Sequence, residues 1–270
     1  MGTDHGWRLP GTWCVGLVAG VAVASLAGGG CHRLPEAAVR QIRQAHQAYR
    51  HRQYARCERL ASPVIAAHAA EPDTAEAYYL RGLARLRTDR KQAAKTDFEK
   101  GRRLTDRAEL KALLHAQLGN LEYEAGQYER AAGHYRMAEA DLPPHPPSDR
   151  VLLRYGMSLQ RSGRFREGKR VLARLLLRFP SGRPADQARR KVTWPHDYHR
   201  VQCGVYSKAE TARAAARRLS DRGVPASSWR QTRNGKTRYV VQAGRYRTYP
   251  EARRALEEIR PIVPDAFIMP

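Results

Sequence analysis

Small residues recur every 37 positions along the first two thirds of the chain, and this repetition constrains the fold more than any other feature. Gly82, Gly119 and Gly156 are each 37 residues apart, and Ala45 occupies the same phase one period earlier. Self-similarity at a period of roughly 20–50 residues is typical of stacked supersecondary units. The sequence therefore predicts an array of repeats in which each unit buries its apolar face against its neighbours.

Further columns at the same period show what the repeating unit is. After Gly82, Gly119 and Gly156, a second small residue and then a larger one follow, as Ala94 and Phe98 do in the second repeat. Two antiparallel helices approach closely only where neither side chain is large, so the unit is predicted to be a helical hairpin. Pro143 and Pro180 cannot continue a helix and are expected to end its second helix.

The pattern resembles the tetratricopeptide (TPR) family and covers residues 38–182 as four repeats. Each repeat is longer than the usual unit of about 34 residues. Arg85 and Glu122 depart from the family, since they stand where a tyrosine or leucine is usual. The resemblance implies an α-helical solenoid whose concave face binds an unknown protein or peptide. A spacer that only separates its two ends is the alternative.

A second repetition, at a constant offset of 40, runs through residues 197–270. It pairs Val201 with Val241, Gln202 with Gln242, Gly204 with Gly244, Tyr206 with Tyr246 and Ala212 with Ala252. Each half opens on alternating β-forming residues and runs into a helix, predicted over 208–222 and 249–259. Strands are predicted over 226–232 and 265–269, with the hairpin turn Asn234-Gly235 after the first of them. The order β-α-β-β-α-β predicts a small α+β ferredoxin-like unit with both helices on one face of the sheet.

Residues 197–270 resemble the SPOR domain (the sporulation-related repeat), because each half carries a V-Q-x-G-x-Y motif or a close variant of it. The resemblance implies binding to peptidoglycan glycan strands that have lost their stem peptides. Gln202 matches the functional glutamine of the family. By strand alternation, Arg200 and Gln202 share the open sheet face, while Val201 and Cys203 point at the helices.

The other expected glycan contacts lie on the second and third strands. Arg238, Val240 and Gln242 share the open face by alternation. The family often has an arginine where Val240 stands, so Arg238 is expected to substitute for it. Trp229 is placed to stack on a sugar ring, with a packing role as the alternative. For Gln202 and Gln242 the alternative is ordinary solvated polarity.

The segment 183–196 is predicted to be a linker between the two regions. Close to it, His196, Asp197 and His199 invite a metal site, but no third good ligand stands nearby, so a solvated linker is favoured. Cys203 has no cysteine partner in its half of the chain and is expected to be a buried free thiol. No catalytic motif, metal site or cofactor site is recognised, and the chain is predicted to be a binding protein, not an enzyme.

The first 31 residues are predicted to direct export. Residues 11–27 carry no charge, and small residues follow them up to Cys31. This arrangement resembles a bacterial lipoprotein signal, in which Cys31 would be acylated and would anchor the chain to a membrane. Cleavage after the Ser25-Leu26-Ala27 stretch and an uncleaved membrane anchor are the alternatives. All three place the remainder on the periplasmic side of the bacterial cell envelope.

The net charge of +23 predicts affinity for polyanions. The strand order is also that of the RNA-recognition module, but residues 238–245 lack the aromatic pattern of that module. Together with the export signal, this disfavours nucleic acid as a partner. The expected role is therefore in cell division or wall remodelling; a periplasmic scaffold that activates a cell-wall hydrolase is the alternative.

Overall fold

The computed structural model describes residues 34–145, 147–233 and 235–269. The export signal and Cys31 lie outside the described residues. In the part that is described, no helix is long and apolar enough to cross a membrane. The chain divides into two compact units between Arg154 and Tyr155. We call residues 34–154 the N-terminal unit and residues 155–269 the C-terminal unit.

The N-terminal two thirds of the chain are helical, as predicted. The helices are α1 (Glu36–Arg50), α2 (Tyr54–Ala67), α3 (Ala75–Arg87), α4 (Lys91–Leu104), α5 (Ala108–Glu124), α6 (Tyr128–Glu139), α7 (Ser148–Arg161), α8 (Phe165–Arg178) and α9 (Arg183–Val192), with a 3-10 turn at Pro72–Thr74. Helices α1 to α8 pair as four consecutive hairpins, so the predicted repeat unit is confirmed. Helix α9 occupies most of the segment expected to be a linker.

The recurring glycines make room for a large side chain of the same hairpin. A Cβ on Gly82 would lie 2.5 Å from the Phe98 ring, and one on Gly119 would lie 2.8 Å from the Tyr135 ring. The first hairpin keeps this complementarity with smaller side chains, because Ala45 and Ala61 occupy the equivalent positions and both are buried. The period of 37 therefore reflects a close contact, within each hairpin, between the recurring small residue and the side chain that faces it.

The two charged departures from the TPR pattern are ion-paired between helices. The Arg85 guanidinium contacts Asp97 of α4 at 2.9 Å and Glu58 of α2 at 3.0 Å. Glu122 of α5 accepts from Lys95 Nζ of α4 at 2.7 Å. At these positions a polar link between neighbouring hairpins replaces the apolar side chain of the family pattern.

The C-terminal unit contains the predicted antiparallel sheet. Its strands are β1 (His199–Tyr206), β2 (Ala226–Arg233), β3 (Lys236–Tyr246) and β4 (Phe267–Met269), and its helices are α10 (Ala209–Ser220) and α11 (Tyr249–Ile259). The strand order is β2-β3-β1-β4, with every neighbouring pair antiparallel. This order confirms the ferredoxin-like β-α-β-β-α-β fold.

The Gly-x-Tyr motif that closes each half of the repeat has a steric explanation. Gly204 and Gly244 adopt φ values of +154° and +67°, in the region that favours glycine. A Cβ on Gly204 would lie 2.8 Å from the Tyr206 ring, and one on Gly244 would lie 2.2 Å from the Tyr246 ring. Each tyrosine therefore folds back over its glycine, and both rings pack against the core of the unit.

Candidate functional site

The sheet of the C-terminal unit has one face covered by helices and one open face. Val201, Cys203, Val241 and Ala243 point at α10 and α11 and are buried with them. The residues between them in each strand project to the opposite face. The predicted division of β1 into inward Val201 and Cys203 and outward Arg200 and Gln202 agrees with this burial.

The strand register brings four of the five predicted glycan contacts to neighbouring positions on the open face. Gln202 of β1 is paired directly with Gln242 of β3, and Trp229 of β2 is paired with Val240 of β3. Arg200 stands two residues before Gln202 on the same face. Gln202 is half-buried, so its amide retains access to solvent.

The Arg200 side chain lies across the open face toward β2. Its Nη1 donates to Gln242 Oε1 at 3.3 Å, its Nη2 donates to the Tyr198 hydroxyl at 3.1 Å, and its Cζ lies 5.3 Å from the Trp229 ring centroid. Gln242 is only 5% exposed as a result, and Val240 is 3% exposed. Arg200 thus covers Gln242, so a molecule that approached the open face would contact Arg200 before Gln242.

Arg238 lies apart from this group. It is exposed on the part of β3 next to the β2–β3 turn, where it pairs with Gln231 of β2. Its Nη1 donates to the carbonyl of Thr237 at 3.4 Å. Val240 separates it from Gln242 along the strand. Its predicted substitution for the family's arginine therefore stays a prediction.

Sequence reasoning missed a run of aromatic rings at the start of β1. The His196 ring stacks on Tyr198 with centroids 4.7 Å apart, and it meets Trp194 edge-on at 5.2 Å. The Arg245 guanidinium lies 5.5 Å from the Tyr198 ring centroid. We call Trp194, His196, Tyr198, Arg200, Trp229 and Arg245 the arginine–aromatic cluster. The alternation His196, Tyr198, Arg200 was the sequence signal that could have indicated it.

Two exposed apolar side chains complete the open face and were also missed. Phe267 of β4 is paired with Gln202 and is 41% exposed, and Val205 of β1 is paired with Val240 and is 51% exposed. Gln202 therefore lies between an exposed phenyl ring on one side and Gln242 on the other. An amide next to an exposed ring can both donate and accept hydrogen bonds while the ring packs on an apolar sugar face.

His199 is not part of a solvated linker, and that expectation was wrong. It is 2% exposed, and its ring lies 4.9 Å from the Phe165 ring. Its Nδ1 faces the Met269 carbonyl and its Nε2 faces the Gln160 carbonyl, both at 3.2 Å. Burial lowers its pKa to about 4, so the ring is neutral at pH 7.

Asp197 and the two described cysteines also make contacts that do not involve a metal. Asp197 is ion-paired with Lys169 at 3.0 Å and Arg166 at 3.4 Å, and these bonds lower the pKa of its carboxyl. No group of three metal-ligating side chains is found in residues 34–145, 147–233 and 235–269. Cys57 and Cys203 are buried free cysteines, and burial raises the pKa of the Cys203 thiol to about 11.

The four-stranded sheet with one open face and two helices behind it defines the sheet region of the C-terminal unit as a ferredoxin-like module. Residues 195–270 match the family model of the SPOR domain, and this segment is therefore a SPOR domain. A search of curated proteins found no significant match.

Several solved structures with helical repeats are similar to the N-terminal region. YrrB, described as a TPR protein with an unusual peptide-binding site, is 19% identical, with a TM-score of 0.49 over 57% of this chain and 74% of its own. The pilF protein of Pseudomonas aeruginosa is 16% identical, with a TM-score of 0.49 over 56% of this chain and 65% of its own. A tetratricopeptide repeat protein of Parabacteroides merdae is 12% identical, with a TM-score of 0.49 over 70% and 68%. The TPR-like character of this region rests on its own hairpin packing.

Proposed function

We propose that this chain is a non-catalytic cell-envelope protein that binds denuded peptidoglycan glycan strands through the open face of its SPOR domain. The SPOR family is a peptidoglycan-binding family, and this supports an envelope role. The observation that carries the proposal is the composition of the open face. It combines the accessible amide of Gln202 with the exposed ring of Phe267 and the Arg200–Trp229 stack.

The chemistry of this face suits a polysaccharide. Sugar hydroxyls and N-acetyl groups need partners that both donate and accept, as an amide side chain does. The faces of sugar rings are apolar and pack on aromatic rings, of which Trp229 and Phe267 stand on opposite edges of the sheet, on β2 and β4. Gln202, on the central strand β1, would form hydrogen bonds with the glycan between these two rings.

Co-sedimentation of the full-length chain with purified sacculi tests the proposal. We expect recovery to rise when the sacculi are treated with an amidase, because this removes stem peptides and leaves the glycan. Gln202→Ala should reduce recovery on treated sacculi, while Gln92→Ala, which removes an exposed glutamine of α4, should not. Equal recovery on treated and untreated sacculi, or no recovery on either, would contradict denuded-glycan binding.

The helical hairpins would bind a protein partner and the amino terminus would anchor the chain. TPR-like repeats are protein-interaction repeats, which supports the first part. Export and acylation at Cys31 are supported by the sequence alone. Labelling with radioactive palmitate should mark the wild-type chain and not the Cys31→Ala variant; equal labelling of both would contradict acylation at Cys31.

A role in cell division follows from the ligand, because denuded strands arise where the wall is remodelled. A fluorescent fusion should therefore concentrate at midcell, and concentration should be lost with Gln202→Ala. An even distribution of the wild-type fusion around the envelope would contradict this role.

A further inference from the structure

The arginine–aromatic cluster holds two guanidinium groups around one tyrosine. Arg200 Cζ lies 5.3 Å and Arg245 Cζ lies 5.5 Å from the centroid of the Tyr198 ring. The two side chains come from neighbouring strands, β1 and β3, and Arg245 is exposed. Arginine side chains that no acidic group neutralises attract an anion.

Within the described residues, no carboxylate is paired with either arginine. Arg200 donates to two neutral groups, the Gln242 amide and the Tyr198 hydroxyl. The nearest acid in sequence, Asp197, is engaged by Lys169 and Arg166 instead. The Nε of Arg200 is buried and has no hydrogen-bond partner in the structure. The cluster therefore has donors and positive charge left over.

The histidine beside the cluster reflects the same excess of positive charge. Burial lowers the pKa of His196, and the charges of Arg200, Arg245 and Lys169 lower it further. His196 is thus held neutral beside the two arginines, and it stacks on the Tyr198 ring that they share.

Two arginines that stack on tyrosines in the N-terminal unit, Arg81 and Arg154, differ from this arrangement. Arg81 lies 5.6 Å from the Tyr78 ring and is ion-paired with Asp97 at 2.8 Å. Arg154 lies 5.3 Å from the Tyr123 ring and contacts Glu124 at 3.7 Å. In those places the protein supplies its own counter-charge. In the arginine–aromatic cluster, no described acidic side chain supplies it, so both arginines are available to an anionic ligand.

We propose that Arg200 and Arg245 bind the free carboxylate of the muramoyl residue in a denuded glycan strand. This inference rests on the proposed function. Hydrolysis of the amide between the lactyl group and the stem peptide leaves a carboxylate on the sugar. That carboxylate is absent from an intact, peptide-bearing strand, where the same carbon is part of an amide. Arginine is well matched to it, because its guanidinium donates to carboxylate oxygens in a planar, charge-assisted pair.

The position of the cluster fits a sugar substituent. Its members Arg200 and Trp229 lie on the same open face as Gln202, and Tyr198 directly precedes the start of β1. A strand whose rings pack on Trp229 and Phe267 would place its acidic substituents along the edge of that contact. The two arginines then distinguish a glycan strand without stem peptides from one that carries them, while the Gln202 amide and the aromatic rings bind the sugar chain.

The test uses soluble denuded strands in two chemical forms. One preparation keeps its lactyl carboxylates, and in the other they are converted to primary amides with carbodiimide and ammonia. Amidation should weaken binding of the full-length wild-type chain by about tenfold or more, the usual effect of losing a charge-assisted hydrogen-bonded pair. Arg245→Gln should weaken binding to the carboxylate form and reduce the difference between the two forms. Arg213→Gln, on exposed α10, is the matched control and should behave as the wild type.

The possible outcomes separate this inference from the proposed function. Equal binding of both forms by the wild type would overturn the carboxylate inference and leave glycan binding standing. Binding of neither form would overturn both. Vesicles that contain anionic phospholipid serve as a further probe. If they bind in an Arg245-dependent manner and the carboxylate form competes no better than the amidated form, the cluster is a phosphate site and the inference is wrong.

Discussion

At the scale of single residues, His199 is an ionisable side chain that the fold keeps in its neutral form. Its two ring nitrogens face carbonyl oxygens, but a neutral imidazole donates from only one of them. The other contact brings two acceptors together, and burial still keeps the ring neutral, with a pKa of about 4. The sequence predicted a solvated His199 because it stands at the junction after Pro195 and has no third good metal ligand nearby.

We predict that the chain loses stability as the pH falls from about 6.5 to about 4. In this range the unfolded chain takes up a proton at His199 and the folded chain does not, so unfolding is favoured. A pKa lowered from 6.5 to about 4 corresponds to about 3 kcal/mol at full effect. His115 acts in the same direction, since burial lowers its pKa to about 4 as well. Urea unfolding followed between pH 7.5 and pH 4.5 measures the slope.

The variant His199→Leu separates the contribution of this residue. It should be less stable than the wild type at pH 7.5, and its stability should fall less steeply toward acid. Identical slopes for variant and wild type would show that His199 does not titrate as the structure indicates.

At the scale of secondary-structure elements, the hairpins are defined by the contact between a glycine and a large ring. In the third hairpin Tyr135 is fully buried, and its hydroxyl donates to Asn120 Oδ1 at 2.8 Å. The ring is therefore held from both ends and cannot move away from Gly119. The periodicity of the sequence identified both the small column and the large column, but not the contact between them.

We predict that Gly119→Ala destabilises the chain by about 1–3 kcal/mol, because overpacking outweighs the better helix propensity of alanine. The matched control is Gly133→Ala in α6, where a Cβ would meet nothing within 4 Å. That control should stabilise by roughly 0.5–1 kcal/mol through reduced entropy of the unfolded chain. Chemical denaturation of both variants measures the difference, and equal effects would contradict the steric account.

Ion pairs made by the helices are expected to differ in strength according to burial. Asp97 is 1% exposed and is shared by Arg81 and Arg85. Asp97→Ala should therefore cost about 3–5 kcal/mol, because it leaves two partly buried arginines without their partner. Asp186→Ala breaks an exposed pair with Arg189 and should cost less than about 1 kcal/mol. A similar loss in the two variants, measured by urea unfolding, would contradict the role of burial.

The partners of Arg85 and Glu122 illustrate what sequence periodicity does not contain. The period of 37 indicates which residues occupy equivalent places, and it predicted helical hairpins as the repeating unit. It does not identify Asp97, Glu58 or Lys95 as partners, because a period relates equivalent residues and not residues in contact. Glu58 and Lys95 are themselves 37 apart, as Arg85 and Glu122 are, so the two contacts are equivalent. The same limit applies to Arg200, whose strand position was predicted but whose reach across to Trp229 depends on its side-chain conformation.

At the scale of the whole molecule, the C-terminal unit is larger than the SPOR domain. It begins at Tyr155 and includes α8 and α9. Phe165 packs on His199, and the Arg161 guanidinium lies 4.2 Å from the Tyr249 ring centroid. Residues ahead of the SPOR domain thus contribute to the packing of its first strand and second helix.

We predict that a fragment 148–270 unfolds at a higher temperature than a fragment 197–270. The shorter fragment lacks Phe165 and the Gln160 carbonyl beside His199, and it lacks Arg161 over Tyr249. The midpoint should fall by at least about 5 °C, since a loss of 1 kcal/mol has about that effect in a domain of this size. Coincident melting curves by circular dichroism would show that α7–α9 do not support the sheet.

The central claim, that the open sheet face binds glycan, is tested most directly by hydroxyl-radical footprinting of the full-length chain with denuded glycan strands. The account predicts that glycan reduces oxidation of Tyr198, Trp229 and Phe267, which lie on or beside that face. Met137, 59% exposed on α6, should be oxidised to the same extent with and without glycan. Unchanged oxidation of the three aromatic residues under conditions where the glycan is bound would contradict the claim.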